Sequence, residues 1–594
     1  MSTRRQSRHK RKGPQSSRKV QEVTSTSVRE SKSSVRLLGS SPVDSLLLCG
    51  PVLLFLLLAI DYAWVTEDAF ITFQSVENLW AGFGPTFNRG LRVESFSHPL
   101  WFLVLCLLRA SGAEMLPILA AGVGILLSVM GLLFASHAAR QRFQGSSSLF
   151  PLGALIIAVL PPFWQFASSG LETGLTFFWI GFSSWCLVHI RTNVARWRVP
   201  TFITLGLAPL IRPDLVVLAV PLVVVALAKS APRPIRWKGV AGSLFWFFGP
   251  GALWQVFRMG YYGALVPTTY IAKEGLGSRW AQGWLYLLDL VQPYWLLPVV
   301  GVTLVLLLYP MLEERSEPPT QHRYDYASAW ALVAGGLIHG AFVCRAGGDF
   351  MHGRLLLPAL FAVVSASAVV PLPFAGRYRK VALLGLLFWA AYVCLCARPP
   401  YASRISRDGI ADERQWYVRR AHTNRPIALK DYAYMSFYRI GEGATQLVRQ
   451  HGGKALYWAH IGIAVAVIPD DIIVIDPLAL NDHIGARITL TKRGRPGHEK
   501  IVPSSWFLAR YPAGVGIVVT NQLDGQFREK EPQSAIDAAR AVLASPSLLE
   551  LHDAVAEPMT LRRFIQNFFR AWRLTFLRIP ADPHEALKTL VHER

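Results

Sequence analysis

The sequence predicts a polytopic α-helical membrane protein of about ten to twelve spans with a C-terminal extracytoplasmic α/β domain. Three observations carry that expectation. The chain has 594 residues, 52% of them apolar or aromatic and only 17% charged, against about 25% charged in soluble domains. Its formal charge of +23 is segregated along the chain. Apolar runs of roughly 20 residues, long enough to cross a bilayer, recur through its middle. A uniformly soluble enzyme and a disordered protein are both excluded.

Residues 1–41 carry eleven Lys/Arg against two Asp/Glu, or +9. This Ser-, Lys- and Arg-rich stretch holds too few apolar residues to fold and reads as a disordered cytoplasmic tail. It ends at the apolar run Leu46–Ile60, where positive charge keeps that end of the first span in the cytoplasm and attracts anionic membrane lipids. Topology, not nucleic-acid binding, accounts for it. Residues 42–400 form the transmembrane domain, with 24 basic and 16 acidic residues; residues 401–594 hold 26 and 20, a soluble-like density. The six cysteines all lie in or beside apolar segments, which argues against a disulfide framework.

Apolar runs lie near 46–64, 115–137, 149–168, 172–190, 239–258, 285–310, 327–344, 355–373 and 380–398. The run 200–228 is broken at Ile211-Arg212-Pro213-Asp214 and offers two short crossings, while 98–110 is short and is expected to dip. The positive-inside rule places the basic loops 191–198, 229–239, 313–323 and 376–380 in the cytoplasm. That leaves 65–97, 169–173, 212–214, 259–282, 345–354 and the C-terminal domain outside. Ionisable residues at a membrane border are costly and are functional candidates by default. No phosphate-loop or dinucleotide motif lies on the cytoplasmic side, so chemistry on the outer face needs a donor already delivered through the membrane.

The first outer loop, Trp64–Trp101, places Glu67-Asp68 at the exit of the first span, followed by a helical piece and then Arg89, Arg92, Glu94 and His98. A carboxylate at a membrane border can take a proton from a hydroxyl or stabilise a cationic sugar transition state. Arginine forks hold phosphate oxygens. The alternative is that the acidic pair marks the membrane boundary and the arginines meet lipid headgroups.

These residues also resemble a known family. The acidic pair in Glu67-Asp68-Ala69-Phe70-Ile71-Thr72-Phe73, then Gly82 to Glu94 in the pattern G-x-G-P-x-F-N-x-G-x-R-V-E, looks like bacterial C-type glycosyltransferases. FASSGLETGL (166–175), YYGALVPTTYIAK (261–273), AGGDFMHGRLLLPAL (346–360), IDPLALND (475–482) and RGRPGHEK (493–500) follow in order. Together they resemble the mycobacterial terminal arabinofuranosyltransferases, over about residues 46–520. Glu67-Asp68 stands where two aspartates are common in that family, and FSHP at Phe96–Pro99 departs from its pattern. The resemblance implies a polyprenyl-phosphate sugar donor and a cell-envelope polysaccharide or glycolipid acceptor. It also implies Asp68 as catalytic carboxylate with Glu67 as helper. Arg89, Arg92, His98, Glu172, Arg212, Tyr262, Lys273, Asp349, His352 and Arg354 are the candidates for substrate contact. A divalent ion on Asp68, Glu67 and Asp349 is chemically conceivable, but the first outer loop has no D-x-D, so no metal or other cofactor is assigned.

Short apolar runs AVAVIP (464–469), DIIVID (471–476) and GVGIVVT (514–520) with a helical piece at 532–544 predict the small α/β domain. The segment 559–579 is a basic amphipathic helix with aromatics, suited to a membrane surface or to packing on the transmembrane body. The leading function is a polyprenyl-phosphate arabinofuranosyltransferase. A mannosyl- or other glycosyl-transferase on the same scaffold is the second enzyme reading. A lipid-linked-sugar transporter or assembly factor is the non-enzyme one, against which the lack of internal repeats counts.

Overall fold

The computed structural model describes residues 42–142, 149–230, 237–274, 277–316, 325–371, 376–401, 403–450, 452–512, 516–518 and 531–592. The expectations for the tail 1–41, and for most of the basic loops 229–239 and 313–323, lie outside the described residues.

The membrane body begins with α1 (Pro42–Asp61), α2 (Glu67–Trp80), α3 (Pro99–Leu108) and α4 (Leu116–Arg142). It continues through α5 (Leu152–Val159), α6 (Pro161–Ala167), α7 (Thr173–Thr192), α8 (Val194–Gly206), α9 (Ala208–Ile211) and α10 (Leu215–Ser230). Then come α11 (Trp237–Tyr262), α12 (Thr268–Ala272), α13 (Trp280–Val291), α14 (Leu296–Ser316), α15 (Tyr326–Ala346), α16 (Leu357–Ser365) and α17 (Gly376–Leu395).

Among the described residues, four helices are long and apolar enough to cross a bilayer, namely α4, α7, α11 and α15. A fifth crossing forms only if α13 and α14, bent by 81° against each other, count as one span. Five further apolar helices are shorter: most of α1 and α17, α3 with the turn after it, α10, and Arg354–Ser365. The expectation of ten to twelve spans is therefore corrected to ten apolar elements, only four or five of full length. Proline accounts for much of the difference. Pro293 cannot continue a helix, so the run 285–310 turns at Gln292–Trp295. Pro161 and Pro162 likewise divide the run 149–168 into α5 and α6. The 200–228 run breaks where the Arg-Pro-Asp triplet predicts, and α3 is only ten residues long.

Close helix contacts rest on glycine. A Cβ on Gly181 of α7 would lie 2.0 Å from the Gly131 carbonyl oxygen of α4, and one on Gly174 would lie 2.2 Å from that of Gly124. Two helices without side chains at their crossing points can bring their backbones together, which is how helices adhere where lipid supplies no hydrophobic drive.

Beyond residue 401 lie α18 (Glu413–Ala421), α19 (Ser436–Gln450), α20 (Ser504–Arg510), α21 (Gln533–Leu543), α22 (Pro546–Ala556), α23 (Leu561–Phe576) and α24 (Pro583–Leu587). They accompany a parallel sheet with strand order Ile473–Ile475, Ala455–Tyr457, Gly516–Val518. The run AVAVIP is not a strand: Val465–Val467 forms a short 3-10 turn, and the strand lies upstream at Ala455–Tyr457. The outer edge of strand Ile473–Ile475 is met by Asn88 of the first loop. The Asn88 amide donates to the Val474 carbonyl (2.8 Å), and its oxygen accepts from the Val474 N–H (3.0 Å).

Of the two expectations for the basic amphipathic helix, packing on the membrane body is met on one face of α23. One face packs on α11, where the Phe564 ring fills the space over Gly260 and Thr575 Oγ1 accepts from the Leu265 N–H at 2.8 Å. The other exposes Leu561, Ile565, Phe569, Trp572 and Phe576.

Gly131→Leu is expected to force α4 and α7 apart, costing about 1–3 kcal/mol and lowering the melting temperature in detergent. Gly122→Leu on the open face of α4, where an added Cβ meets nothing within 4 Å, is the control and leaves the melting temperature unchanged.

Candidate active site

The start of α2 is clamped before its side chains are aimed. Trp64 Nε1 donates to the Gln165 carbonyl (2.8 Å), the Thr66 N–H to that of Ser169 (3.0 Å), and Trp101 Nε1 to that of Gly170 (3.0 Å). These bonds fix the first turn of α2, with Glu67 and Asp68 in it, against the loop that leads into α7. Acidic groups suit that turn because the helix N-terminus is partially positive. Glu172 stands at the residue immediately before the neighbouring α7.

The third strand of the site is the loop 347–354. Gly347 and Gly348 have φ of 97° and 72°, and a Cβ on Gly348 would lie 2.3 Å from the Tyr286 ring. Glycine is required there, and the turn delivers Asp349 and Arg354 to the α2 terminus. The Arg354 guanidinium lies 3.4 Å from Glu172 and 3.7 Å from both Asp68 and Asp349. Glu172 in turn meets Arg212 (3.7 Å) and His98 (3.5 Å), and His98 Nε2 is hydrogen-bonded to Thr72 Oγ1 at 3.0 Å. Arg212 is held bidentately by Asp214 at 3.0 and 2.8 Å, and Asp214 also meets His339.

The three carboxylates around Arg354 differ in one respect. The side chains of Glu172 and Asp349 are 2% and 8% exposed, whereas that of Asp68 is 32% exposed. Asp68 is the one a solute can reach. Burial raises its carboxyl above the ordinary range, against the pull of Arg354 and then Lys273. Burial also works on Glu172, but Arg354, His98 and Arg212 together hold it below its ordinary value, so it stays charged.

Glu67 faces the other way. Its Oε1 accepts from the Gly462 N–H of the C-terminal region at 2.8 Å. Burial, and next the charge of Asp68, push its carboxyl up to about 8, so it carries a proton at neutral pH. Asp476 lies on the same side, raised by burial to about 7 despite accepting the Leu478 and Leu480 N–H groups.

The structure thus gathers Asp68, Glu172, Arg212, His98, Asp349 and Arg354, with Lys273 as the second cation that Asp68 feels. It does not gather the others. Arg89 pairs with Asp470 and Asn78, and lies 4.3 Å over the Phe83 ring. Arg92 donates to the Ala554 carbonyl at 2.9 Å and faces Tyr261. Tyr262 donates to the Pro85 carbonyl at 2.8 Å. Both ring nitrogens of His352 are taken, by Asp289 at 2.6 Å and Tyr294 at 3.0 Å, in a network that bridges the bend between α13 and α14. These four hold the scaffold.

Glu413 was missed by sequence reasoning. The Ala411 N–H donates to the Phe350 carbonyl (2.7 Å) and the His352 N–H to that of Ala411 (3.0 Å), which brings the start of α18 beside Asp349. Burial, then Asp68 and Glu67, raise the Glu413 carboxyl well above its ordinary value, and Arg495 opposes them. In the sequence, Asp412-Glu413 reads as an ordinary helix start, with Asp412 capping the Gln415 N–H. Among the described residues no group of three or more His, Cys, Asp or Glu side chains is arranged to hold a metal ion.

Residues 417–589 match the AftB family C-terminal domain. The chain is 28% identical to a terminal β-(1→2)-arabinofuranosyltransferase of Mycobacterium tuberculosis, covering 88% of this chain and 93% of that one. The chain is a homologue of that transferase. A second relative with the same description, from Corynebacterium glutamicum, is 27% identical over 88% of this chain and 84% of its own. Both agree with the family that the sequence motifs resemble. A crystal structure of ArnT from Cupriavidus metallidurans bound to undecaprenyl phosphate aligns with 71% of this chain and 74% of its own, at 14% identity and a TM-score of 0.34. That overlap assigns no residue here. A cavity of about 610 Å³ lies on the opposite face of α2, along Phe70, Phe73, Gln74 and Glu77, and is not the carboxylate cluster.

The raised Glu67 carboxyl sets a pH dependence. The folded protein keeps this proton up to about 8, whereas the unfolded chain releases it near the ordinary 4.5, so stability falls as pH rises between those values. Glu67→Gln keeps an acceptor for the Gly462 N–H and has no proton to lose. Its melting temperature is expected to exceed the parent's at pH 8 and to match it near pH 4.5, as read by thermal melts across that range.

Proposed function

We propose that this chain transfers arabinofuranose from a polyprenyl-phosphate donor to a cell-envelope glycan at the outer face of the cytoplasmic membrane, with its N-terminus cytoplasmic. The observation that carries the reading is Asp68. It is the accessible member of a carboxylate set locked by Arg354 at the membrane border, in a homologue of terminal arabinofuranosyltransferases.

In this mechanism Asp68 accepts the proton of the acceptor hydroxyl. The acceptor oxygen forms its bond to the anomeric carbon as the bond from that carbon to the phosphate oxygen breaks. The electron pair leaves with polyprenyl phosphate. A base whose carboxyl sits above the ordinary range is the better suited to that step at neutral pH. Arg354 fixes the Asp68 carboxylate in place and is itself committed to three anions. Lys273, the other cation near Asp68, offsets charge on the leaving phosphate. Arg89 and Arg92, occupied elsewhere, take no part. Glu67 ties the α2 terminus to the C-terminal domain, and Glu413 lines the acceptor side.

Asp68→Asn is expected to lower transfer at least about 100-fold, measured in membranes supplied with polyprenyl-phosphate arabinofuranose and an arabinan acceptor. Arg89→Gln, which loses the contacts with Asp470, Asn78 and the Phe83 ring, keeps most of the activity. Full transfer by Asp68→Asn would remove Asp68 from the mechanism.

A further inference from the structure

A second cavity, about 560 Å³, lies between the loop that follows α11 and the C-terminal end of α23. Its apolar wall is Leu265, Val266, Tyr270, Ile271, Leu490 and Phe576. Leu265 and Val266 follow within four residues of the last residue of a full-length candidate span, Tyr262, so the cavity lies at the membrane border. Phe576 is also the last member of the exposed apolar stripe of α23, which recurs at helical spacing from Leu561 and continues the cavity wall along the protein surface.

The polar part of the cavity is cationic. Arg493 and Arg578 line it, and Glu274 is its one carboxylate. Glu274 is already used: it lies 3.7 Å from Lys500 Nζ and accepts from the Leu490 N–H at 2.8 Å. Arg493 makes no ion pair among the described residues, and Arg578 donates only to the carbonyls of Thr575 and Leu577. Behind the wall, buried Lys500 is repelled by Arg578 and Arg493, and buried Arg487 by Arg578. Two arginines thus line the cavity against one carboxylate that Lys500 already engages, beside an apolar wall continuous with the α23 stripe. Burial of like charges is unfavourable unless an anion joins them. The arrangement asks for a ligand with an anionic head and an apolar tail.

We propose that this cavity binds the phosphate headgroup and upper acyl chain of an anionic membrane lipid, with Arg493 and Arg578 on the phosphate and the Phe576 end of the α23 stripe along the chain. The site is separate from the Arg354 cluster. It anchors the C-terminal domain to the bilayer through α23.

The test is native mass spectrometry of the full-length protein released from nanodiscs of phosphatidylglycerol or of phosphatidylcholine. The parent is expected to retain phosphatidylglycerol in preference to phosphatidylcholine. Arg493→Gln/Arg578→Gln should weaken that retention about 30-fold, as loss of two arginines at an anionic surface does. Because Arg578 also donates to the carbonyls at the end of α23, Arg493→Gln alone provides a second variant, with no ion pair to lose among the described residues, and it should weaken retention about fivefold. Equal retention of the two lipids, or unchanged retention in both variants, would overturn the proposal. Displacement of phosphatidylglycerol by excess inorganic phosphate would overturn it too, since the cavity would then be a simple anion site. The readout is lipid retention, so it succeeds or fails independently of the transferase mechanism.

Discussion

One guanidinium shared by three carboxylates is the constraint on which the site depends. Arg354 reaches Asp68 on α2, Glu172 at the head of α7 and Asp349 two turns of loop away. Each of these anions, alone and buried, would be costly; together around one arginine they are compensated. The pairing also sets rank among them. Glu172 has a second cation, Arg212, and the His98 ring beside it, Asp349 is enclosed, and Asp68 keeps an open side at 3.7 Å from its partner, beyond hydrogen-bond distance. The same interaction that stabilises the cluster leaves one oxygen-bearing group under-engaged and accessible, which is what a base must be.

Around that cluster runs a seam between the membrane body and the C-terminal region. Glu67 to Gly462, Arg89 to Asp470, Arg279 to Glu499 and Glu274 to Lys500 all cross it. The predominance of charged groups at this seam explains why several arginines that look like phosphate ligands in the sequence are found in structural roles. Arg89 and Arg92 precede and follow a turn whose main task is to join the two parts of the chain.

Much of the architecture was legible because hydropathy reports burial in lipid directly. The ionisable residues at 68, 172, 212, 349 and 354 stood out for the reason that such groups are expensive near a membrane. What was not legible depends on distance in space. Nothing in the sequence says that His352, two residues from Arg354, turns toward Asp289 and Tyr294, because those partners arrive from the bend at Pro293. Nor does the helix-start pattern at Asp412-Glu413 reveal that a three-residue backbone ladder with Phe350 and His352 carries it to the cluster. Local propensity also misled at AVAVIP, where packing left a 3-10 turn and the strand formed at Ala455–Tyr457 instead.

The pair of hydrogen bonds between Asn88 and Val474 has a bearing on how far the C-terminal domain can stand alone. A side-chain amide that both donates to and accepts from one backbone residue acts as a one-residue strand, and here it closes the outer edge of the parallel sheet. The residue that closes it lies 386 positions earlier in the chain. A C-terminal domain severed from the membrane body would lack Asn88 and present the bare edge of strand Ile473–Ile475 to its own copies.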